Sequence, residues 1–219
     1  LRRDEMLLHY QPVVHAHSED IVSFEALIRW QSAAHGFVSP GKFIPLAEDT
    51  RLIVPIGKWV MRQACMEARS WPDNIKVNVN VSPEQLLEPD FNQDVVECLA
   101  ASGLRPERLE IEVTESIFMR DATVARTALE QIMALGCSVA LDDFGTGYSS
   151  LGYLRKLRFS TIKVDRTFVQ GAAQNSSESL AIINAVVAMA NSLDMTTTAE
   201  GVETMEEADL IRSLGCAKI

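Results

Sequence analysis

Seven polar side chains of the kinds that bind metal ions or move protons lie near the ends of short β-rich runs. They are Glu25, Asn80, Glu112, Asp142, Asp143, Lys163 and Glu200. Acids in apolar runs are costly to bury unpaired, and several carboxylates at one point repel unless cations lie among them. Carboxylate and amide oxygens suit Mg²⁺ or Mn²⁺ better than Zn²⁺, since no histidine joins them. Adjacent Asp142 and Asp143 can serve two ions at once, an arrangement used for in-line phosphoryl displacement.

These side chains must be positioned by an alternation of short strands and longer helices. We expect strands at 6–14, 21–30, 75–81, 109–113, 138–141, 161–164 and 196–199, and helices at 56–69, 90–101, 122–135, 179–193 and 203–214. Alternation of this type predicts a mainly parallel sheet with crossover helices. The loop at 15–20 is too short for a crossover, so the first two strands should be antiparallel.

The fold class that follows is α/β, a TIM-like (β/α)₈ barrel whose C-terminal face gathers the acids. An open doubly wound sheet is the rival architecture, although the chain lacks its usual G-x-G-x-x-G turn. The segment LGCS at 135–138 leads from a predicted helix into a predicted strand, and LGCA at 214–217 resembles it. An eighth strand should therefore begin after the last helix and be truncated at the C-terminus. We expect residues 1–219 to be a single barrel domain excised from a longer multidomain protein.

Composition excludes several classes of protein. The 219 residues carry 20 Lys and Arg against 30 Asp and Glu, a net charge of −10, and 47% are hydrophobic. That apolar share excludes intrinsic disorder, and the acidic balance argues against a duplex nucleic-acid binder. The longest nearly apolar stretch, 180–190, is shorter than the roughly 20 residues of a membrane span. Four scattered cysteines indicate a reducing compartment, so we expect a cytoplasmic domain, compatible with a membrane-anchored parent protein.

Six ordered segments of the chain resemble the EAL domain family, phosphodiesterases of the bacterial second messenger cyclic di-GMP. They are FEALIRW at 24–30, NVS at 80–82, EVTE at 112–115, DDFGTGYSSL at 142–151, IKVD at 162–165 and AEGVE at 199–203. The resemblance begins at YQP, residues 10–12, and so covers nearly the whole chain. It implies hydrolysis of cyclic di-GMP to linear 5′-phosphoguanylyl-guanosine.

The resemblance also implies a role for each acid. One metal ion would be held by Glu25, Asn80, Glu112 and Asp142. Asp142 would bridge to a second ion, joined by Asp143 and Glu200. Lys163 would orient or help deprotonate the attacking water, with Glu25 and Glu200 also in the catalytic set. The cofactors implied are two Mg²⁺ or Mn²⁺ ions, with Ca²⁺ inhibitory.

Further residues match positions where the family contacts its substrate or couples its subunits. The substrate set implied is Gln11, Leu27, Arg29 and Asp165; the set coupling a loop to dimerisation is Glu115, Gly145, Gly147 and Glu203. An arginine suits a phosphate because its donors form a planar fork, and a salt bridge at the rim is the alternative interpretation of Arg29. The partners implied are cyclic di-GMP, a second copy of the chain and an upstream GGDEF or sensory domain.

Two other functions remain open from the sequence. One is a non-catalytic cyclic di-GMP receptor, although such members usually lose metal ligands and none is lost here. The other is a regulatory dimerisation module. The family also continues into a Gln-Gly-aromatic motif on its eighth strand, and the sequence stops at Ile219, where that motif should start.

Overall fold

The described chain forms one curled sheet with helices packed outside it. The structure, a computed structural model, describes residues 5–145 and 151–219. The strands are β1 Met6–Val14, β2 Ile21–Ser32, β3 Gly36–Val38, β4 Lys76–Asn80, β5 Leu109–Thr114, β6 Ser138–Phe144, β7 Thr161–Val164 and β8 Thr196–Ala199. The helices are α1 Pro40–Asp49, α2 Ile53–Ala68, α3 Pro83–Leu86, α4 Phe91–Ser102, α5 Ile117–Ala134, α6 Leu151–Lys156, α7 Arg166–Ala173, α8 Ser177–Ser192 and α9 Met205–Ser213.

The sheet has the topology predicted from the strand and helix pattern. Its order is β1-β2-β4-β5-β6-β7-β8, and every neighbouring pair after the first is parallel. β1 and β2 pair antiparallel across the short loop, which confirms that prediction. The short β3 pairs antiparallel with β2 and was not predicted, because three residues carry too little periodicity to be recognised.

Residues 217–219 join the two ends of the sheet. The backbone N–H groups of Lys218 and Ala199 donate to Thr197 and Lys218 respectively, both at 3.0 Å, on the β8 side. On the β1 side, Val14 and Ile219 exchange hydrogen bonds of 2.8 and 3.0 Å. This segment occupies the position of the eighth strand, and the barrel closes through it.

The core lies between the parallel strands and the helices. Val77, Val79, Ile111 and Ile162 are inaccessible to solvent, as expected for strands covered on both faces. Successive side chains of a strand point to opposite faces, so apolar residues packed against helices alternate with residues that point into the barrel. The second set carries the polar groups of the candidate site.

Helix boundaries mostly follow the predicted ones, and α5 shows why one differs. The helix begins at Ile117 rather than at 122, with a break at Asp121, where φ is −146° and ψ is 91°. The Asp121 carboxylate accepts hydrogen bonds from the N–H groups of Thr123 and Val124, so it caps the predicted helix while one more turn precedes it. Helices α1, α3, α6 and α7 were not predicted. Among the described residues, no helix is both long and apolar enough to span a membrane.

Candidate active site

A buried ammonium group lies at the centre of four carboxylates. Lys163 Nζ lies 2.6 Å from Glu200 Oε1, 2.7 Å from Glu112 Oε2, 3.2 Å from Asp142 Oδ2 and 3.5 Å from Glu25 Oε2. The Lys163 side chain is 4% exposed, and that of Glu112 is completely buried. The structure therefore brings these five predicted site residues together.

The strand ends explain why residues so distant in sequence meet. Glu112, Asp142 and Lys163 belong to the neighbouring strands β5, β6 and β7, and Glu200 follows β8 directly. Parallel strands end at the same side of a barrel, the side on which barrel active sites are built. Glu25 joins them from β2, the strand that pairs with β4. The convergence predicted at the C-terminal face is present.

A bulge allows the adjacent acids Asp142 and Asp143 to serve one site. The register between β6 and β7 shifts between Leu141 and Phe144, and Asp143 has a φ of 52°. In a regular strand the two side chains would point to opposite faces. A bulge instead re-aims a side chain, as bulges near active sites often do. The N–H of Asp143 donates to Asp142 Oδ1 at 2.9 Å, which steadies the turn.

One subset of the acids has the composition of a divalent-cation site. Asp142, Asp143 and Glu200 each offer an oxygen, and the three oxygens lie within 4.8 Å of one another. An all-oxygen donor set suits Mg²⁺, Mn²⁺ or Ca²⁺. The donor set therefore fits the ions that the sequence implied.

Hydrogen bonds connect the remaining predicted ligands, Glu25, Asn80 and Glu112, to this cluster. Asn80 Nδ2 donates to Glu25 Oε1 at 2.6 Å, which leaves the amide oxygen of this exposed residue for other contacts. Glu112 is held by Lys163 on one oxygen and by Asn78 Nδ2 at 3.0 Å on the other. These acids are thus fixed by hydrogen bonds from their neighbours.

Burial and mutual repulsion shift the protonation equilibria of the cluster. Burial raises the pKa of Glu112 well above its ordinary value, against the opposing effect of Lys163. Burial likewise raises the pKa of Glu200 to about 7 and raises the pKa of Asp143. Burial lowers the pKa of Lys163, but the surrounding carboxylates outweigh it, so the pKa ends well above its ordinary value. The four carboxylates therefore favour the protonated form of Lys163.

A cavity of about 800 Å³ opens beside the cluster. Asn80, Glu112 and Asp143 line one side, and Leu27 and Arg29 line the wall formed by β2. Apolar side chains of α1 and α2 form much of the rest. A cavity of this size, with a few convergent polar groups, is typical of a small-molecule site.

Two of the predicted substrate residues, Gln11 and Asp165, are not among the described residues that line this cavity. Gln11 is exposed and stands opposite Glu25 in the β1–β2 register. Asp165 precedes α7 and accepts a hydrogen bond from the N–H of Thr167, so it caps that helix. A part in substrate contact stays a prediction for both.

The residues predicted to couple a loop to dimerisation are dispersed. Glu115 lines the cavity, whereas Glu203 is exposed at the start of α9, where its N–H donates to Glu207. Gly145 has a φ of 95°, and a Cβ there would lie 3.2 Å from the Phe168 ring. Gly147 lies outside the described residues.

Two polar residues near the site were not identified from the sequence. Asn78 stands two residues before Asn80 and so shares its face, a spacing that could have revealed it. Glu84 is buried, lines the cavity and pairs with Arg120, and nothing in the sequence sets it apart from a surface acid.

Comparisons with known proteins agree with the fold and identify a family. The EAL domain family matches residues 1–219. The bifunctional diguanylate cyclase/cyclic di-GMP phosphodiesterase MucR of Pseudomonas aeruginosa is 43% identical over 220 residues, which cover 99% of this chain and 32% of MucR. The chain spans about a third of the length of that relative.

Solved structures give the same result. The MucR phosphodiesterase in complex with c-di-GMP superimposes with a TM-score of 0.94 at 42% identity, covering 99% of this chain and 89% of that chain. The calcium and cyclic di-GMP complex of Klebsiella pneumoniae BlrP1 gives 0.85 at 31% identity, covering 100% and 54% of the respective chains. By sequence and by structure, this chain belongs to the EAL domain family.

Proposed function

We propose that this domain hydrolyses cyclic di-GMP to linear 5′-phosphoguanylyl-guanosine with divalent cations. The observation that carries the proposal is the oxygen triad of Asp142, Asp143 and Glu200 beside the enclosed Lys163, at the edge of a cavity that also contains Arg29. The match to MucR, whose solved phosphodiesterase is in complex with c-di-GMP, supports the choice of substrate.

The metal ions would be held by the acids that meet at the strand ends. Asp142, Asp143 and Glu200 would hold one ion, and Glu25, Asn80 and Glu112 would join Asp142 around the other. When bound, two such ions lower the pKa of a water molecule and offset the charge that develops on the phosphoryl oxygens. We assign Mg²⁺ or Mn²⁺ to this role and expect Ca²⁺ to inhibit.

The protein's own groups align the water and receive its proton. The oxygen of water forms a bond to phosphorus while the bond from phosphorus to the ribose 3′ oxygen breaks. Lys163 keeps its proton among four carboxylates, so it acts as a hydrogen-bond donor that orients the water rather than as a base. We assign the proton of the water to the Glu200 carboxylate, and its position 2.6 Å from Lys163 Nζ supports this role. The 3′ oxygen takes a proton from solvent.

Arg29 would bind a phosphate of the substrate. It lines the cavity on β2, where its Nη1 donates to the Ile28 carbonyl at 2.9 Å. Its other donors have no partner within residues 5–145 and 151–219, which leaves them for a ligand. Arginine forms paired, charge-assisted hydrogen bonds to phosphate oxygens. Leu27, on the same strand, would contact the substrate through its apolar surface.

The domain would work as part of a longer protein. MucR, which is about three times as long, is described as having a diguanylate cyclase activity as well as the phosphodiesterase. We propose a similar linked domain here, together with a dimeric assembly of the phosphodiesterase domain.

Hydrolysis of cyclic di-GMP by the purified chain tests the proposal. The reaction is run with Mg²⁺, Mn²⁺ or Ca²⁺, and the products are separated by chromatography. We expect linear dinucleotide with Mg²⁺ or Mn²⁺, and its loss in Asp143→Asn but not in the matched control Asp209→Asn, an exposed acid paired with Arg212 on α9. Cyclic di-GMP that is bound and left intact under all three ions would instead indicate a receptor.

A further inference from the structure

Strand β4 directs one amide toward an acid on each of its neighbouring strands. Asn78 and Asn80 are two residues apart and so share a face of β4. Asn80 Nδ2 donates to Glu25 on β2, and Asn78 Nδ2 donates to Glu112 on β5 at 3.0 Å. Asn78 lies one layer deeper in the barrel, where it is 5% exposed. It is not among the described residues that line the cavity.

The Glu112 carboxylate is fixed by two donors from opposite sides. Oε1 accepts from Asn78, and Oε2 accepts from Lys163 Nζ at 2.7 Å. The last torsion of a glutamate is broad and only weakly restrained by the side chain itself. A second donor is therefore needed to hold the plane of this carboxylate, and Asn78 supplies it.

The Asn78 side chain is only partly satisfied within the barrel. Its Oδ1 atom is buried and has no hydrogen-bond partner among the described residues. A buried acceptor that is left unsatisfied destabilises a fold relative to an apolar group of similar size. The hydrogen bond to Glu112 explains why an amide stands at this position, whereas packing alone would favour an apolar side chain.

We propose that Asn78 is a positioning residue that fixes Glu112 for binding of a divalent cation. The inference rests on the proposed function, because it assigns Glu112 to the metal site. Hydrogen-bond partners of ligating side chains tune affinity strongly, and their loss typically costs about 10–100-fold in metal affinity or activity.

The test measures Mn²⁺ binding by calorimetry on the full chain without substrate. Asn78→Val keeps most of the side-chain volume and removes both polar atoms; Asn78→Ala is the second variant, in case the first does not fold. We expect Mn²⁺ affinity to fall about 10–100-fold in both. The metal-free thermal midpoint of Asn78→Val should change little, because removal of the unsatisfied Oδ1 acceptor offsets the lost hydrogen bond to Glu112. Hydrolysis should show a lower kcat with little change in KM.

Val77→Ala is the matched control, since Val77 is fully buried on the opposite face of the same strand. It should lower the thermal midpoint without weakening Mn²⁺ binding. Wild-type Mn²⁺ affinity in both Asn78 variants would overturn the positioning role, even with hydrolysis intact. If the Asn78 variants bind Mn²⁺ more weakly but the wild-type chain does not hydrolyse cyclic di-GMP, only the proposed function is refuted and the positioning role stands. A wild-type chain that does not bind Mn²⁺ would overturn both.

Discussion

Replacing Lys163 with methionine should destabilise the metal-free domain strongly. The substitution keeps an unbranched apolar side chain and removes the ammonium charge that lies within 3.5 Å of four carboxylates. Without it, Glu112 would remain completely buried beside two other acids. The carboxylates of the variant would therefore repel one another without the compensation that Lys163 gives in the wild-type chain.

The magnitude follows from the distances and the burial. One ion pair at about 4 Å is worth about 4 kcal/mol at an effective dielectric constant of 20, before desolvation is subtracted. Removing one partner of a buried pair typically costs about 3–5 kcal/mol, because the other charge is left uncompensated. In a domain of this size each kcal/mol lowers the thermal midpoint by about 2–4 °C, so we expect a loss of roughly 6–20 °C.

Thermal unfolding in EDTA and in Mn²⁺ measures the effect. Mn²⁺ supplies positive charge to the same acids, so it should raise the midpoint of Lys163→Met by more than that of the wild type, while hydrolysis stays absent. Lys76→Met is the matched control: Lys76 lies on β4 and donates to the Ser138 hydroxyl at 2.8 Å. Loss of one such hydrogen bond costs about 0.5–1.5 kcal/mol.

Two results would refute this reasoning. A Lys163→Met chain as stable as the wild type in EDTA would mean that the acids do not depend on this cation. Retained hydrolysis would mean that Lys163 does not orient the water.

Four further predictions test separate parts of the chain. Arg29→Ala should raise KM for cyclic di-GMP about 10–100-fold, because the substrate loses one charged hydrogen-bonding group. The unfolding midpoint should change little, and an unchanged KM would contradict phosphate binding by Arg29. Gly201→Ala should reduce both the free energy of unfolding and the Mn²⁺ affinity. Gly201 has a φ of 66°, and a Cβ there would lie 2.4 Å from Arg166 Cβ, which would displace the neighbouring Glu200. Urea unfolding and calorimetry measure the two effects, and wild-type Mn²⁺ affinity in the variant would contradict the expected displacement of Glu200. Arg108→Met should lower the free energy of unfolding by about 2–3 kcal/mol in urea, because the buried guanidinium donates to two backbone carbonyls, whereas a surface arginine would cost almost nothing. Burial raises the pKa of Cys65 to about 12, and all four cysteines are buried. Ellman's reagent at pH 8 should therefore label the folded chain slowly, and it should label all four thiols once the chain is unfolded in urea. Fast labelling of the folded chain would show local opening.

The strand framework could be predicted because its signals are local. The runs at 161–164 and 196–199 are rich in β-branched residues, and their observed bounds equal the predicted ones. The convergence of the acids followed from a general property of parallel barrels and not from any single residue. The short α3 and α7 carry too few turns for a recognisable period.

Details of the site depend on contacts that no local pattern records. The bulge at Asp142 and Asp143 needs a φ of 52° at an aspartate, which the sequence does not announce. The bond from Asn78 to Glu112 depends on the register between β4 and β5, which places Asn80 opposite Glu112 and Asn78 opposite Glu110. The sequence shows which groups are present, and only the register shows which of them touch.

The closure of the barrel through residues 217–219 has a consequence for synthesis on the ribosome. The ribosome makes Val14 roughly 200 residues before Ile219, whose backbone groups bond it. At about 5–20 residues per second, the free edge of β1 waits on the order of 10–40 s for its second neighbour. Unpaired strand edges are templates for association with other chains. We therefore expect nascent chains halted before residue 217 to engage holdase chaperones through β1, and chains released with 217–219 in place to escape them.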